Sequence, residues 1–231
     1  MNYFLENMLP EERELLPYLP TTAEYLQFIT ARYGEKTALS DPDRAVDYTA
    51  LGEQTAAKRA LLNELRIPRG VCVGLMGKNS LDAAEWFLAI SSYGCTAVMM
   101  PPSLQAEALP GILAHFEIKL LITDVEAPLA AGQIGGVPVL SVTAAGSGSF
   151  PCAALTGRDR AAVFFTGGTT GKPKGVILSH GALMRGTLNG TYRKGTVFGQ
   201  TFVAALPFTH VFGMIFSLLS GLYTGSHVAV C

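Results

Sequence analysis

The sequence carries little charge and no excess of either sign. Its 231 residues include 17 Lys and Arg and 18 Asp and Glu, which gives a formal net charge of −1. Proteins that bind nucleic acid or anionic membranes through electrostatics usually carry a strong positive patch. The composition therefore offers no electrostatic case for either partner, and we expect no nucleic acid among the ligands.

Cysteine is scarce and widely spaced. The four cysteines, Cys72, Cys95, Cys152 and Cys231, show no C-x-x-C spacing. Three of them lie in apolar, strand-like runs, where cysteine behaves as a small hydrophobic residue. This pattern fits free thiols in a reducing compartment, so we expect a cytoplasmic protein.

Long hydrophobic runs and targeting signals are also missing. The longest apolar stretch, residues 211–223, is interrupted by Gly213 and Gly221 and is shorter than the roughly 20 residues that span a bilayer. It predicts a buried helix. The N-terminus has no basic region before its first apolar residues and is followed by the acidic stretch 11–14, so we expect no secretory signal.

Apolar residues, by contrast, make up 49% of the chain, which is ample for the core of one large domain or two small ones. Helical patterns alternate with strand-like runs, one after the candidate N-cap Thr49 and another from the candidate N-cap Ser80 to the C′ glycine Gly94. The predicted strands cover 71–76, 95–100, 119–123, 137–142, 161–165 and 201–206. The alternation predicts an α/β fold with doubly covered, mostly parallel β-sheets.

One segment is rich in Ala, Gly and Ser and is the best candidate for a linker, residues 143–157. We therefore predict an N-terminal extension over 1–20 and a first α/β subdomain over 21–142. The start of a second α/β subdomain, with the phosphate-binding loop described next, would occupy 158–231.

Residues 166–175 read Thr-Gly-Gly-Thr-Thr-Gly-Lys-Pro-Lys-Gly. The glycines free the backbone to take positive φ and to approach a ligand, and the hydroxyls and lysines add donors and positive charge. The glycines are Gly167, Gly168, Gly171 and Gly175, and the side-chain donors are Thr166, Thr169, Thr170, Lys172 and Lys174. The apolar runs 161–165 and 176–178 on either side are typical of buried strands, and ligands collect at the carboxyl ends of such strands. The loop therefore suits a triphosphate.

The generic Walker P-loop, G-x-x-x-x-G-K-[ST], does not fit this loop. Counting back from Gly171 puts Thr166 where the first glycine belongs. The residue after Lys172 is Pro173, which has no hydroxyl for Mg²⁺ and no backbone N–H. A flexible surface turn with incidental lysines is the other alternative, and the density of specific residue types argues against it.

The loop resembles the phosphate-binding signature of the acyl-adenylate-forming (AMP-binding) synthetases, which include acyl- and aryl-CoA synthetases, peptide-synthetase adenylation domains and luciferases. The Gly167-Gly168 pair replaces the usual Ser-Gly, a variant familiar among fatty acyl-CoA ligases. Three more segments match in order: 47–51 resembles L-T-Y-x-E-L, 94–101 resembles A-G-A-x-Y-V-P-L, and 206–213 resembles P-L-F-H. The resemblance runs from about residue 21 onward and covers only the leading part of the family's large N-terminal domain.

This resemblance implies an ATP-dependent ligase that activates a carboxylic acid, most simply a fatty acid, as an acyl-adenylate, releases pyrophosphate and then forms a CoA thioester. ATP, Mg²⁺ and coenzyme A would be its cofactors and co-substrates. Lys174, rather than Lys172, would contact phosphate, and Thr166 would also touch Mg²⁺. His210 would border the acyl pocket. The remaining nucleotide-binding residues would be Gly167, Gly168, Thr169, Thr170 and Gly171.

His210 has a second interpretation from its chemistry alone. It could equally be the first residue of a helix capped by Thr209, which stands where the family usually has Phe or Tyr. A threonine there removes aromatic wall from the acyl pocket and leaves the family's substrate preferences open.

Two other functions remain open from the sequence. The acceptor could be a carrier protein loaded with an amino or aryl acid, or the chain could be a non-catalytic nucleotide-binding module. The family's Y-G-x-T-E motif, its ribose-binding aspartate and the lysine of its mobile C-terminal domain all lie beyond the position of Cys231. We therefore interpret the chain as a fragment and expect residues 1–231 alone to be inactive.

The other conspicuous residues predict structural roles. Trp86 lies on an apolar helix face and is expected in the core. His115 and His227 have no second histidine or cysteine at metal-ligand spacing. His180 follows Ser179 at the start of a predicted helix and is expected to be part of a cap.

Overall fold

The computed structural model describes residues 16–166, 174–193 and 198–231. The strands are β1 (Thr37–Ser40), β2 (Ala45–Asp47), β3 (Cys72–Met76), β4 (Thr96–Met100), β5 (Ile118–Thr123), β6 (Gln133–Ile134), β7 (Val137–Ser141), β8 (Arg160–Thr166), β9 (Lys174–Ser179), β10 (Thr201–Ala204) and β11 (His227–Val230). The helices are α1 (Thr22–Tyr33), α2 (Tyr48–Glu64), α3 (Leu81–Tyr93), α4 (Leu109–His115), α5 (Glu126–Ala131), α6 (His180–Arg193) and α7 (Ser220–Tyr223), with a 3-10 helix at Ala106–Ala108 and a π-helix at Gly213–Leu219.

The larger sheet has the order β6-β7-β5-β3-β4-β8-β9 among the described residues. Its five inner strands are parallel, and the outer strands β6 and β9 are antiparallel to their neighbours. Every residue of β3 and β4 is buried, as expected for central strands that are covered on both faces. The predicted α/β fold with mostly parallel sheets is confirmed.

The smaller sheet has the order β10-β11-β1-β2, with β11 parallel to both of its neighbours. Both sheets therefore combine strands that precede and follow residues 143–157. That segment packs along α2, where the N–H of Gly146 donates to the Ala57 carbonyl at 3.0 Å and the N–H of Phe150 donates to the Ala56 carbonyl at 3.2 Å. The division of the chain into two subdomains stays a prediction.

The helix caps agree with the sequence at α3 and differ at α2. Ser80 caps α3 by accepting the N–H of Ala83 at 3.1 Å, and Gly94 ends that helix with a φ of 95°. At α2 the cap is Asp47, whose Oδ1 accepts the N–H of Ala50 at 2.7 Å. The prediction of Thr49 was wrong because the N-cap lies two residues earlier and the helix begins at Tyr48, so Thr49 already lies inside its first turn.

The outer strand β9 corrects another expectation. The run 176–178 was expected to be a buried strand, yet Val176 and Ile177 are 45% and 55% exposed. Among the described residues β9 pairs only with β8, because it lies at the edge of the sheet. An apolar run alone does not distinguish an edge strand from a central one.

The apolar stretch 211–223 is helical and mostly buried, as predicted, but part of it is a π-helix. The Ile215 carbonyl accepts the backbone N–H of Ser220, the i→i+5 bond typical of a π-helix, and it also accepts the Ser220 hydroxyl at 2.8 Å. In the part of the chain that the structure describes, no helix is long and apolar enough to cross a membrane.

The residues expected to be structural have structural partners. Trp86 is fully buried, and its Nε1 donates to the Val142 carbonyl at 2.7 Å. His227 pairs through Nε2 with the Ser40 hydroxyl at 2.7 Å, and the ring of His115 packs edge-on against Phe116. All four cysteines are free.

His180 is part of a cap, but for a distant helix. Its Nδ1 accepts the N–H of Thr22, the first residue of α1, at 3.3 Å, and lies 3.1 Å from the Thr22 hydroxyl. The first N–H groups of a helix have no partner within the helix, so this contact satisfies one of them. The Ser179 hydroxyl caps α6 itself by accepting the N–H of Ala182 at 3.2 Å.

Burial lowers the pKa of His180 from 6.5 to about 4, against a smaller opposing effect of Asp159. Because the folded pKa is depressed, this stabilisation is complete above pH 6.5 and is lost as the pH falls towards 4. We expect acidification from pH 7 to 5 to cost about 2 kcal/mol of unfolding free energy through this group.

His180→Asn, which keeps an acceptor but does not titrate, should flatten the loss of stability over that window in urea unfolding. His115→Asn, at an exposed position, is the matched control for the loss of an imidazole. An identical pH profile for His180→Asn and the unsubstituted protein would contradict the assignment.

Candidate functional site

Several polar residues follow the parallel strands at one edge of the larger sheet. Lys78 and Asn79 lie two and three residues after the end of β3, Asp124 follows β5, and Thr166 is the last residue of β8. Parallel strands end at a common edge, which is where ligands bind in open α/β sheets. The structure therefore provides the edge that the sequence predicted for the phosphate-binding loop.

The two ends of the predicted loop are adjacent in the structure. Thr166 is paired with Lys174, the first residue of β9, and the Thr166 hydroxyl donates to the Lys174 carbonyl at 3.4 Å. Both residues are exposed. The predicted contacts of Gly167, Gly168, Thr169, Thr170 and Gly171 lie outside the described residues and stay predictions.

The last glycine of the signature has a packing role. Gly175 does not take a positive φ, and a Cβ at this position would lie 2.6 Å from the Phe116 ring and 2.8 Å from Val163. Real Cβ atoms essentially never come this close to a neighbour. The expectation that Gly175 gives conformational freedom is therefore wrong: the glycine is needed for space beneath β9.

The segment 204–210, which carries His210, is attached to the same edge through Asn79. The Asn79 Nδ2 donates to the carbonyls of Ala204 and Leu206 at 3.2 and 2.9 Å. Its Oδ1 accepts the N–H of Phe208 at 2.7 Å. Sequence reasoning missed Asn79, although a polar residue within three residues of the end of a buried strand was an available signal.

His210 caps the helical segment that follows it. Its Nδ1 accepts the N–H of Phe212 at 3.2 Å, and its own N–H donates to the Pro207 carbonyl at 3.0 Å. The alternative in which Thr209 caps this helix is wrong, because the Thr209 hydroxyl makes no hydrogen bond within the described ranges. In a neutral imidazole an accepting Nδ1 leaves the proton on Nε2. The exposed His210 can therefore donate one hydrogen bond to a ligand.

The turn before the π-helix is closed by a glycine. A Cβ on Gly213 would collide with the carbonyl of Pro207 and would also lie 2.9 Å from the carbonyl of Leu206. Phe212 is 49% exposed, and its ring stacks on Phe216 with centroids 4.3 Å apart. An exposed aromatic ring thus belongs to the residue whose N–H donates to the His210 imidazole.

The carboxylate of Asp124, at the same edge, supports the backbone after β3. Asp124 Oδ2 accepts the N–H of Lys78 at 3.1 Å, and a Cβ on Gly77 would lie 2.6 Å from Asp124 Oδ1. Within the described ranges no group of three or more His, Cys, Asp or Glu side chains could hold a metal ion. The Mg²⁺ contact of Thr166 stays a prediction.

A cleft of about 520 Å³ lies away from this edge, between α1, α2 and residues 149–152. Its lining includes Arg59 and Cys152 but none of the residues predicted for the site. The candidate site is therefore the sheet edge, which carries the flanks of the predicted phosphate-binding loop and the Asn79 contact to the His210 segment.

Comparison with known proteins finds similar sequences among CoA ligases. The 2-succinylbenzoate–CoA ligase of Bacillus thuringiensis subsp. konkukian (strain 97-27) is 24% identical over 213 residues, which are 90% of this chain and 42% of that protein. The chain thus spans less than half the length of this relative.

Two solved structures share the fold. The Klebsiella oxytoca NpsA N-terminal subdomain in complex with 3-hydroxybenzoyl-AMSN aligns with a TM-score of 0.78 and 22% identity, covering 92% of this chain and 54% of that one. A fatty acid AMP ligase from Legionella pneumophila aligns with a TM-score of 0.80 and 19% identity, covering 97% of this chain and 41% of that one. At these identities the likeness concerns the fold alone.

The family profile gives the decisive match. The profile described as "AMP-binding enzyme" matches residues 26–231, which include β1 to β11 and the whole edge that carries Thr166, Lys174 and His210. The resemblance inferred from four sequence motifs is confirmed: this chain belongs to the AMP-binding enzyme family.

Proposed function

We propose that this chain carries the phosphate-binding and acid-binding segments of an ATP-dependent carboxylic acid–CoA ligase. The ligase would activate its acid as an acyl-adenylate, release pyrophosphate and then form a CoA thioester. One observation carries the proposal: Asn79 attaches the His210 segment to the sheet edge at which β8 and β9 present Thr166 and Lys174. Family membership and the CoA-ligase relative support it.

The chemistry explains why such an enzyme needs two anion-binding segments. A carboxylate is a poor electrophile because of its negative charge, and transfer of AMP converts it to a mixed anhydride with a good leaving group. The protein must bring two anions together and neutralise the charge that grows on pyrophosphate. Lys174 would supply positive charge to the phosphates, and His210 would donate a hydrogen bond near the carboxylate.

Thr166 fits a role at Mg²⁺ as one oxygen ligand among phosphate oxygens and waters. Its hydroxyl is exposed, and its proton is directed to the Lys174 carbonyl, which leaves the oxygen lone pairs available. A bound Mg²⁺ would neutralise phosphate charge. The described residues supply no complete set of protein ligands, in keeping with a metal held mainly by the nucleotide.

The residues around His210 favour an acid with an apolar chain or ring. Leu206 and Phe212 are 44% and 49% exposed, so the segment offers apolar contact to a chain or ring attached to the carboxylate. The sequence predicted a fatty acid, whereas the CoA-ligase relative is named for an aromatic acid. Both kinds belong in the test.

The direct test is acid-dependent exchange of labelled pyrophosphate into ATP, measured on a longer protein that contains this chain. A panel of fatty, aryl and amino acids should give exchange with at least one fatty or aryl acid, and added CoA should then give a thioester. Exchange without thioester would favour a carrier-protein acceptor. Nucleotide binding without exchange for any acid would favour a non-catalytic module.

Residues 1–231 alone are expected to show no acid-dependent exchange. They span 42% of the curated relative, and the family's ribose-binding aspartate and C-terminal lysine are not among the motifs that they match. Removal of one group that stabilises charge in the transition state typically lowers kcat by about 10²–10³-fold. Exchange above background from the purified 231-residue chain, with boiled chain as control, would contradict this expectation.

A further inference from the structure

We propose that Asn79 is a positioning residue, which sets where the acid-binding segment 204–210 lies relative to the phosphate-binding edge. The inference rests on the proposed function for its kinetic consequence. The structural part of the inference, that Asn79 fixes the position of the segment around His210, does not depend on any activity.

Asn79 itself stands on a well-supported backbone. It follows the buried strand β3 by three residues and directly precedes Ser80, the N-cap of α3. The neighbouring Lys78 N–H is held by Asp124. Both sides of residue 79 are thus tied to the larger sheet and its covering helix, so the side chain starts from a defined position.

The three bonds of Asn79 use both kinds of polar group in its amide. The Nδ2 donates to two carbonyls and the Oδ1 accepts one N–H, all within residues 204–208. An aspartate would keep the acceptor but would oppose two carbonyl oxygens with a carboxylate. A hydrophobic residue would leave all three backbone groups without this partner. The contact therefore selects an amide and not only a side chain of suitable size.

The segment that Asn79 holds has little regular structure of its own. β10 ends at Ala204 and the helical turns begin after His210, so residues 205–209 depend on other contacts for their course. Phe208 is buried and its N–H donates to Asn79, while in the next turn the His210 N–H donates to the Pro207 carbonyl. Two successive backbone contacts thus connect Asn79 to the turn that carries the imidazole of His210.

A purely structural role makes a different prediction. If Asn79 only stabilised the fold, its loss would lower the melting temperature and change KM for the acid and KM for ATP to the same extent. If Asn79 has a positioning role, its loss should change KM for the acid and leave KM for ATP nearly unchanged. Thr166 and Lys174 are held by β8 and β9 and not by Asn79. Asn63, exposed on α2, provides a matched control position.

The first experiment uses the 231-residue chain and needs no activity. In NMR spectra, Asn79→Ala and Asn79→Asp should shift the ring signals of His210 and speed the amide exchange of Phe208 at least tenfold. The amides of β3 and β4 should keep their protection, which verifies that the variants fold. Asn63→Ala should change none of these signals. Unchanged His210 and Phe208 signals in a folded Asn79 variant would overturn the proposal.

The second experiment measures pyrophosphate exchange in the longer protein with the acid that gives the best rate. Asn79→Ala should raise KM for the acid at least about tenfold, since small displacements of a bound reactant have large effects, and should leave KM for ATP within about twofold. Equal changes in both constants would overturn the positioning role. If the unsubstituted protein shows no exchange with any acid, the proposed function fails, and the NMR result alone decides whether Asn79 positions His210.

Discussion

Lys58→Met is expected to lower the free energy of unfolding by about 3–5 kcal/mol, the usual effect of removing one partner from a buried ion pair. Lys58 and Glu85 are only 2% and 1% exposed, so water cannot replace the missing ammonium group. Methionine keeps an unbranched apolar stem and removes the charge.

The contacts of Lys58 explain the size of this effect. Its Nζ lies 2.8 Å from Asp82 Oδ1 and 3.3 Å from Glu85 Oε2, and it donates to the Val142 carbonyl at 3.3 Å. Arg44 contacts both acids from the more exposed side. Without Lys58, two carboxylates would share one partly exposed guanidinium between α2 and α3.

The pH dependence gives a second readout. Burial raises the pKa of Glu85, while Lys58 and Arg44 lower it. Removal of Lys58 takes away the larger of these charge effects, so the pKa of Glu85 should rise further. A carboxyl with a raised folded pKa destabilises the fold when it is ionised, so the penalty in Lys58→Met should shrink as the pH falls.

Urea unfolding at several pH values measures both effects. Lys119→Met is the matched control, because Lys119 is exposed on β5, and it should change stability by less than about 0.5 kcal/mol. Lys58→Met combined with Glu85→Gln should recover part of the loss. A penalty under about 1 kcal/mol, or one that does not vary with pH, would contradict the interpretation of this cluster.

Lys174→Ala in the longer protein is expected to slow adenylate formation by about one to two orders of magnitude. A charge-assisted contact to phosphate contributes roughly 1.5–3 kcal/mol. Lys174 begins β9 and is paired in register with Thr166, so its backbone has a fixed position at the sheet edge. Its side chain is exposed and available to a ligand.

Lys172→Ala is the matched control, since it removes the same charge two residues earlier in the same signature. The measurement is the rate of acid-dependent pyrophosphate exchange at saturating acid, with the melting temperature as a check on folding. We expect Lys174→Ala to have much the larger effect. A greater loss in Lys172→Ala would reverse the assignment of the two lysines.

The sequence predicted much of the fold because its signals are local. Short apolar runs bounded by polar turns identified most strands of the larger sheet, and Ser80 and Gly94 marked both ends of α3. The errors arose where the same local sequence is compatible with two structures. Asp47 and Thr49 are both good N-caps, and an apolar run such as 176–178 is compatible with either an edge strand or a central one.

For the candidate site, too, the sequence identified the local features and missed contacts that depend on the fold. The order and composition of residues 166–175, together with three further motifs, were enough by themselves to identify the AMP-binding family. The roles that they suggest for Thr166, Lys174 and His210 stay predictions. These features are read along the chain, and the glycines, hydroxyls and lysines of a phosphate-binding loop are neighbours in sequence. The sequence could not have revealed that His210 caps its own helical segment in place of Thr209.

Only the tertiary structure decided which distant residues meet. His180 satisfies the N-terminus of a helix 158 residues away, and Asn79 binds carbonyls and an N–H that lie 125 to 129 residues further along the chain. Such contacts depend on how strands are ordered in the sheet and on which edge they share. The family of this chain could therefore be identified from its local sequence. The assembly of the candidate site depends instead on the order of the parallel strands, because contacts between remote segments leave no periodic pattern in the sequence.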